Sequence, residues 1–191
     1  MYLYRNKVFV KLTPCTCVIS HGGDGHATLK KVFTDAGQWE WLRSDHFFRR
    51  YPSDRHELYK FGLKTLKIQI QWAWASGLST GRGVIVPVAI TVTFQVFGKA
   101  SDVVRYLNKR AEPEEAWAAQ YGVTDEAIAE LVQRKVYGIL HASRQAFYHY
   151  PDKKGLHMAQ TISNALTSVL SDWGLTLLDV KVTSPPATII S

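Results

Sequence analysis

Val84-Ile-Val-Pro-Val-Ala-Ile-Thr-Val-Thr-Phe-Gln-Val96 decides how this chain is read. Every even position is apolar: Val84, Val86, Val88, Ile90, Val92, Phe94 and Val96. The odd positions from Pro87 to Gln95 are Pro, Ala, Thr, Thr and Gln. Successive side chains of a strand point to opposite sides of its sheet, so strict period two over this length predicts a long β-strand with one buried face. A helix would spread the same residues around its circumference. Pro87 cannot donate to a ladder, which predicts an edge or a bulge at that end.

Working outward, Leu66, Ile68, Ile70, Trp72 and Trp74 alternate with Thr65, Lys67, Gln69, Gln71 and Ala73. This second strand is joined to the first by Ser76-Gly-Leu-Ser-Thr-Gly-Arg-Gly83, so the pair reads as a hairpin with a long loop. Further back, residues 7–12 read as a strand, Pro14 interrupts it, and Cys15 to Ile19 resume the alternation. His21-Gly-Gly-Asp-Gly-His26 is a turn, and Ala27 to Phe33 return with Ala27, Leu29, Lys31 and Phe33 expected on one face. The lysine on that face predicts an edge strand or a wet side. Gly37 to Pro52 reads as irregular, aromatic and basic.

Beyond Gly98 the period changes to helical. Ser101 is expected to cap a helix over 102–109, and Pro113 to open one that Gly122 breaks. Thr124 with Asp125 and Glu126 opens the next, whose stripe is Ile128, Val132, Val136, Ile139, Ser143 and Phe147, with Pro151 and Gly155 marking its stop. A third helix carries Ala159, Ile162, Leu166, Val169 and Trp173, with Gly174 as its C-cap. Leu178, Val180 and Val182 alternate in a last strand that ends at Pro185-Pro186. The expected fold is α+β: an antiparallel β-sheet followed by packed helices and a terminal strand. It is expected as a single domain over 1–191, with 1–100 mainly β and 101–191 helical.

The totals bound the function. With 191 residues, 46% hydrophobic and 20% charged, the chain has the composition of an ordinary globular protein. No apolar run reaches the ~18 residues a membrane-spanning helix needs, and the N-terminus lacks a secretory core. Two cysteines make no disulfide framework, so a reducing compartment is expected. Residues 1–100 carry 14 Lys and Arg against 6 Asp and Glu, a net +8, while residues 101–191 carry 9 against 10, a net −1. A basic first half predicts an anionic partner such as a lipid surface or nucleic acid; a solvated basic surface is the bland alternative.

Three quoted stretches resemble the SPFH, or band-seven, family of stomatin, prohibitin and flotillin. Ser79-Thr-Gly-Arg-Gly-Val-Ile-Val-Pro-Val-Ala-Ile-Thr-Val-Thr-Phe-Gln-Val96 is similar to the family's small turn and long alternating strand. Ala129-Glu-Leu-Val-Gln-Arg-Lys-Val-Tyr-Gly-Ile-Leu-His-Ala-Ser-Arg144 is similar to its first long helix. Ser168-Val-Leu-Ser-Asp-Trp-Gly-Leu-Thr-Leu-Leu-Asp-Val-Lys-Val-Thr-Ser-Pro185 is similar to its helix, glycine, terminal strand and proline. The resemblance implies a non-enzymatic, membrane-associated scaffold acting by self-association and docking of other proteins, cytoplasmic and peripheral at a membrane. Members carry a membrane segment ahead of the domain and a coiled coil after it. Neither is present between Met1 and Ser191, which implies a fragment or a minimal domain.

No catalytic residues and no cofactor are expected, since nucleophile-elbow, P-loop and Rossmann patterns are all missing. Cys15, Cys17, His21 and His26 have types that suit zinc, but not a finger spacing, and a turn between strands explains the glycines without metal. The membrane-contact candidates are Trp39, Trp41, Phe47, Phe48, Arg49 and Arg50, because tryptophan suits a membrane interface and Arg43, Arg49 and Arg50 suit anionic lipid. The competing account packs these aromatics under the sheet. The alternative function is a basic module binding nucleic acid or another polyanion. Against it, Trp72, Trp74 and Phe94 lie on the apolar side of their strands, so nucleic acid is not the expected partner.

Overall fold

The computed structural model describes residues 2–4, 7–11, 14–22, 26–34, 39–43, 55–62, 64–76, 84–115, 123–143, 154–183 and 188–189; for residues 2–11 and 39–43 the backbone and its register are described. The fold is α+β. Its strands are β1 (Tyr2–Tyr4), β2 (Lys7–Lys11), β3 (Thr16–His21), β4 (Ala27–Phe33), β5 (Trp39–Arg43), β6 (Arg55–Lys60), β7 (Lys64–Ser76), β8 (Val84–Val96), β9 (Leu175–Thr183) and β10 (Thr188–Ile189). Its helices are α1 (Ala100–Arg110), α2 (Asp125–Ala142) and α3 (Lys154–Asp172). Two compact units are drawn from both halves of the chain. The first is Met1–Lys64, Val96–Tyr121 and Asp172–Leu175; the second is Thr65–Gln95, Gly122–Ser171 and Thr176–Ser191.

In the second unit β8 is the interior strand, with β7, β9 and β10 all paired to it. Val88, Ile90, Val92 and Phe94 are fully buried while Ala89, Thr91, Thr93 and Gln95 are half-buried, which is the alternation the sequence predicts. Each such side chain removed from water contributes about 1.5–3 kcal/mol. Pro87 falls where β8 passes from one partner strand to the next. Val84 and Ile85 pair with β10, and the Ala89 carbonyl accepts the Thr183 hydroxyl of β9 at 3.4 Å, so the proline sits between the two junctions. A residue with no N–H suits the place where β8 changes partner.

The helices of this unit follow their stripes with two changes. In α2, Thr124 accepts the Ala127 N–H at 3.3 Å, and Ile128, Leu131, Val132, Val136 and Leu140 are buried. The helix ends at Ala142 with Ser143 as its C-cap, so the stripe does not run through Ser143; Phe147 and Pro151 lie outside the described residues. In α3, Met158, Ile162, Leu166 and Leu170 form the buried line, with Ala159 and Val169 beside it. Gly155 belongs to α3 rather than marking the stop of the helix before it. In β9, Leu178 is 51% exposed, whereas Leu177, Val180 and Val182 are half-buried, so the alternation shifts phase between Leu177 and Val180.

The first unit holds two antiparallel three-stranded sheets, in orders β1-β2-β5 and β4-β3-β6, where a single sheet was expected. Pro14 and Cys15 are the point of division: β2 belongs to one sheet and β3 to the other. Thr16 to Ser20 are buried without alternation, so β3 is covered on both faces. Its edge partner β4 carries an extra residue: Val18 pairs with Lys31 and Ile19 with Leu29, leaving Lys30 as a bulge. The bulge flips the phase, so Ala27 and Leu29 do not share a face with Lys31 and Phe33 as expected. Lysines and a bulge on an exposed edge strand discourage pairing with another chain.

Helix α1 packs on β4 and β3. It begins at Ala100, and Ser101 is not its cap. Asp102, in the first turn, accepts the Lys99 N–H at 3.1 Å, and its own N–H donates to the Lys99 carbonyl at 3.0 Å. Pro113 to Glu115 form a single 3₁₀ turn; residues 116–122 lie outside the described set. Trp173, Tyr106 and Phe97 stack edge to face, with centroids 5.4 and 5.2 Å apart. Two bulky residues take positive φ, Cys15 at 54° and Phe97 at 43°. Their carbonyls accept the N–H groups of Phe61 and Gly62 at 2.9 and 2.8 Å, which holds both in place.

Candidate functional site

The β1-β2-β5 sheet is where the sequence candidates meet the structure. Trp39 and Trp41 belong to β5, so they are strand residues within a sheet and not part of an irregular segment beside one. The reading of 37–52 as irregular is corrected at 39–43. Phe47, Phe48, Arg49 and Arg50 lie outside the described residues.

Register sorts the sheet into two unlike faces. Tyr2 pairs with Phe9 and Phe9 with Trp41, forming one row across three strands. Tyr4 pairs with Lys7 and Lys7 with Arg43, forming the next row. On the other side of the aromatic row, Lys11 pairs with Trp39. Cross-strand partners share a face, and so do residues two apart. One face therefore carries five aromatic and three cationic positions and no acidic one. The other carries Leu3, Val8, Val10 and Leu42, together with Glu40, the single carboxylate of these three strands.

The sequence alone pointed to Trp39, Trp41 and Arg43 but not to Tyr2, Tyr4, Lys7, Phe9 and Lys11. The alternation of Lys7-Val-Phe-Val-Lys11 was visible. What joins it to Trp39 and Trp41 is a pairing between segments about 30 residues apart, which one sequence does not display. This also weakens the argument against a polyanion reading: Phe94 is buried, but other aromatics do alternate on one face of a sheet.

The cysteine and histidine candidates are not drawn together. Cys15 is exposed, whereas Cys17 is fully buried and burial pushes its thiol up to about 11. A thiol that resists ionisation is a poor zinc ligand. His21 Nε2 faces the Glu57 carboxylate at 3.2 Å, Glu57 also accepts the Tyr59 hydroxyl, and His26 is exposed. Among the described residues no three His, Cys, Asp or Glu side chains form a cluster that could hold a metal, and no helix is long and apolar enough to cross a membrane. The acids after α1 have a structural use, since Glu112 bonds the Lys109 ammonium and holds it more firmly protonated.

No protein-family model matches the chain, and no curated protein matches it.

Proposed function

We propose that the chain is a non-enzymatic assembly module that works peripherally at a membrane, in the manner of the SPFH scaffolds it resembles, through self-association and docking of other proteins. The observation that supports this best is β7. It is 13 residues long and stands at the end of the order β10-β8-β7, paired with β8 alone among the described strands. An edge strand of that length is a ready template for backbone pairing with another chain. Its exposed positions Thr65, Gln69, Gln71 and Ala73 are uncharged, and between Thr65 and Ala73 Lys67 is the one charge. A second copy is the partner this reading expects, and no catalytic turnover is expected of the module.

The test is molar mass by light scattering over a range of concentrations, for the natural chain and for Gln69→Lys combined with Gln71→Lys. The natural chain should form multimers. The lysine pair should lower their mass while circular dichroism stays unchanged. A chain that remains monomeric at every concentration, with and without anionic vesicles, overturns the assembly reading. A basic module for polyanions is the second reading, supported by the net +8 of residues 1–100.

A further inference from the structure

We propose that β10 is an exchangeable strand: it leaves β8 of its own chain and pairs with the same two residues, Val84 and Ile85, of a second copy. This rests on the assembly reading above and gives it a second contact between copies, apart from the β7 edge.

Strands β9 and β10 are both paired with β8, at different points along it. Val84 pairs with Ile189 and Ile85 with Thr188, antiparallel. Strand β9 pairs further along, where the Thr183 hydroxyl donates to the Ala89 carbonyl at 3.4 Å. The sequence between these two points is short of donors on both strands. On β8 the stretch between Ile85 and Ala89 has Pro87 at its middle. Of the four residues between Thr183 and Thr188, two are Pro185 and Pro186. Proline has no N–H to give a ladder, so the hold of β9 is not passed on to β10 through an unbroken row of bonds. β10 is fastened by two register pairs of its own. A ladder that short opens at a free energy far below that of unfolding the unit.

Opening bares the backbone of Val84 and Ile85 on a strand that is otherwise interior to its sheet. Unpaired strand backbone is a template for another strand. The pairing within the chain identifies a segment that fits: Thr188–Ile189, in antiparallel register. The same segment of a second copy offers the same bonds. A mutual exchange therefore regains what each copy gives up and closes as a pair, and what is left to meet is the entropy of association. Copies already gathered by self-association meet much of that cost through their raised local concentration. The occupant is a second copy of this chain, because its Thr188–Ile189 reproduces a pairing already present.

The experiment is disulfide trapping between two variants of the full chain, each carrying Cys15→Ser so that the exposed native thiol takes no part. One variant also carries Val84→Cys and the other Ile189→Cys. Cross-strand partners stand about 4.5–5.5 Å apart at Cα, within reach of a disulfide. Mild oxidation of the mixture should give a linked heterodimer, identified by mass spectrometry, whose yield rises with protein concentration. Thr188→Pro added to the Ile189→Cys chain should abolish it, with circular dichroism unchanged. If Val84→Cys does not fold, Ile85→Cys with Thr188→Cys supplies the adjacent pair. A mixture that gives no heterodimer, while both cysteines placed in one chain give a bridge within that chain at every concentration, overturns the proposal. Light scattering on the same samples separates the two readings. Multimers without the heterodimer overturn the exchange alone, whereas monomer throughout overturns the assembly reading with it.

Discussion

The carboxamide of Asn108 holds the backbone of Ala27 at both its polar atoms. Asn108 Oδ1 accepts the Ala27 N–H at 2.7 Å, and Nδ2 donates to the Ala27 carbonyl at 3.1 Å. A peptide group on a neighbouring strand would make the same two bonds. The side chain thus closes the start of edge strand β4 and ties α1 to it, across 81 residues of sequence. Asn108→Ala should cost about 1–3 kcal/mol, because Ala27 keeps two partly buried polar groups with one partner removed. Asn108→Asp should cost no less, since it sets an oxygen against the Ala27 carbonyl. Urea midpoints measure both, and an unchanged midpoint in Asn108→Ala would show the bonds to be incidental.

Gly174 makes a close backbone approach within the first unit. Its φ is +66°, and a Cβ placed there would lie 2.3 Å from the carbonyl oxygen of Asp102. The left-handed turn after α3 lets the chain start β9, and the missing Cβ lets that turn lie against the first turn of α1. Gly174→Ala should therefore cost more than about 2 kcal/mol, with strain at positive φ added to the clash. Gly138, in α2, is the control. Beyond its own helix, no atom of the described residues lies within 4 Å of a Cβ built there, so Gly138→Ala should be neutral or slightly stabilising. Equal midpoints for the two variants would contradict the close approach.

The two residues also mark what was legible beforehand. Gly174 was visible as a helix stop, because glycine after a periodic apolar stripe is a local signal. Strand β8 was visible to its end residues, because alternation is local too. The short strands were not. Tyr2 to Tyr4, Trp39 to Arg43 and Arg55 to Lys60 are strands of three to six residues set by partners elsewhere in the chain, without the clean alternation of apolar and polar residues that would declare them. The bulge at Lys30 was hidden for the same reason, since register is a property of a pair. The candidate face followed suit: Trp39 and Trp41 could be suspected from composition, while Lys7, Phe9 and Lys11 join them only through that pairing.

Ile90 and Val92 test the core around β8. Both are fully buried on an interior strand. Ile90→Asp or Val92→Asp should abolish cooperative folding, since an unpaired buried charge costs several kcal/mol, comparable to a domain's whole stability. Ile90→Val should cost only about 0.5–1.5 kcal/mol. Thr91→Asp, at a half-buried position between them, should fall between these extremes. Calorimetry distinguishes the three, and a cooperative transition at an unchanged temperature in Ile90→Asp would refute the placement.

Cys17 ties the core of the first unit to pH. The thiol is fully buried and burial raises its pKa from 9.0 to about 11. In the unfolded chain the thiol ionises near 9.0, so between pH 9 and 11 the unfolded state has released a proton that the folded state keeps. The stability this thiol contributes is thus complete below pH 9 and is lost as pH rises towards 11. Cys17→Ala removes that dependence but leaves a small void, so it should be less stable at pH 8 while losing less between pH 9 and 11. Cys15, exposed one strand residue away from Cys17, provides an internal comparison. At pH 8 a thiol reagent should modify Cys15 within minutes and Cys17 only upon unfolding, so that one equivalent reacts in buffer and two in denaturant. Two equivalents reacting at once in buffer, or parallel stability curves for Cys17→Ala and the natural chain from pH 8 to 11, would show that Cys17 is not held in the apolar interior.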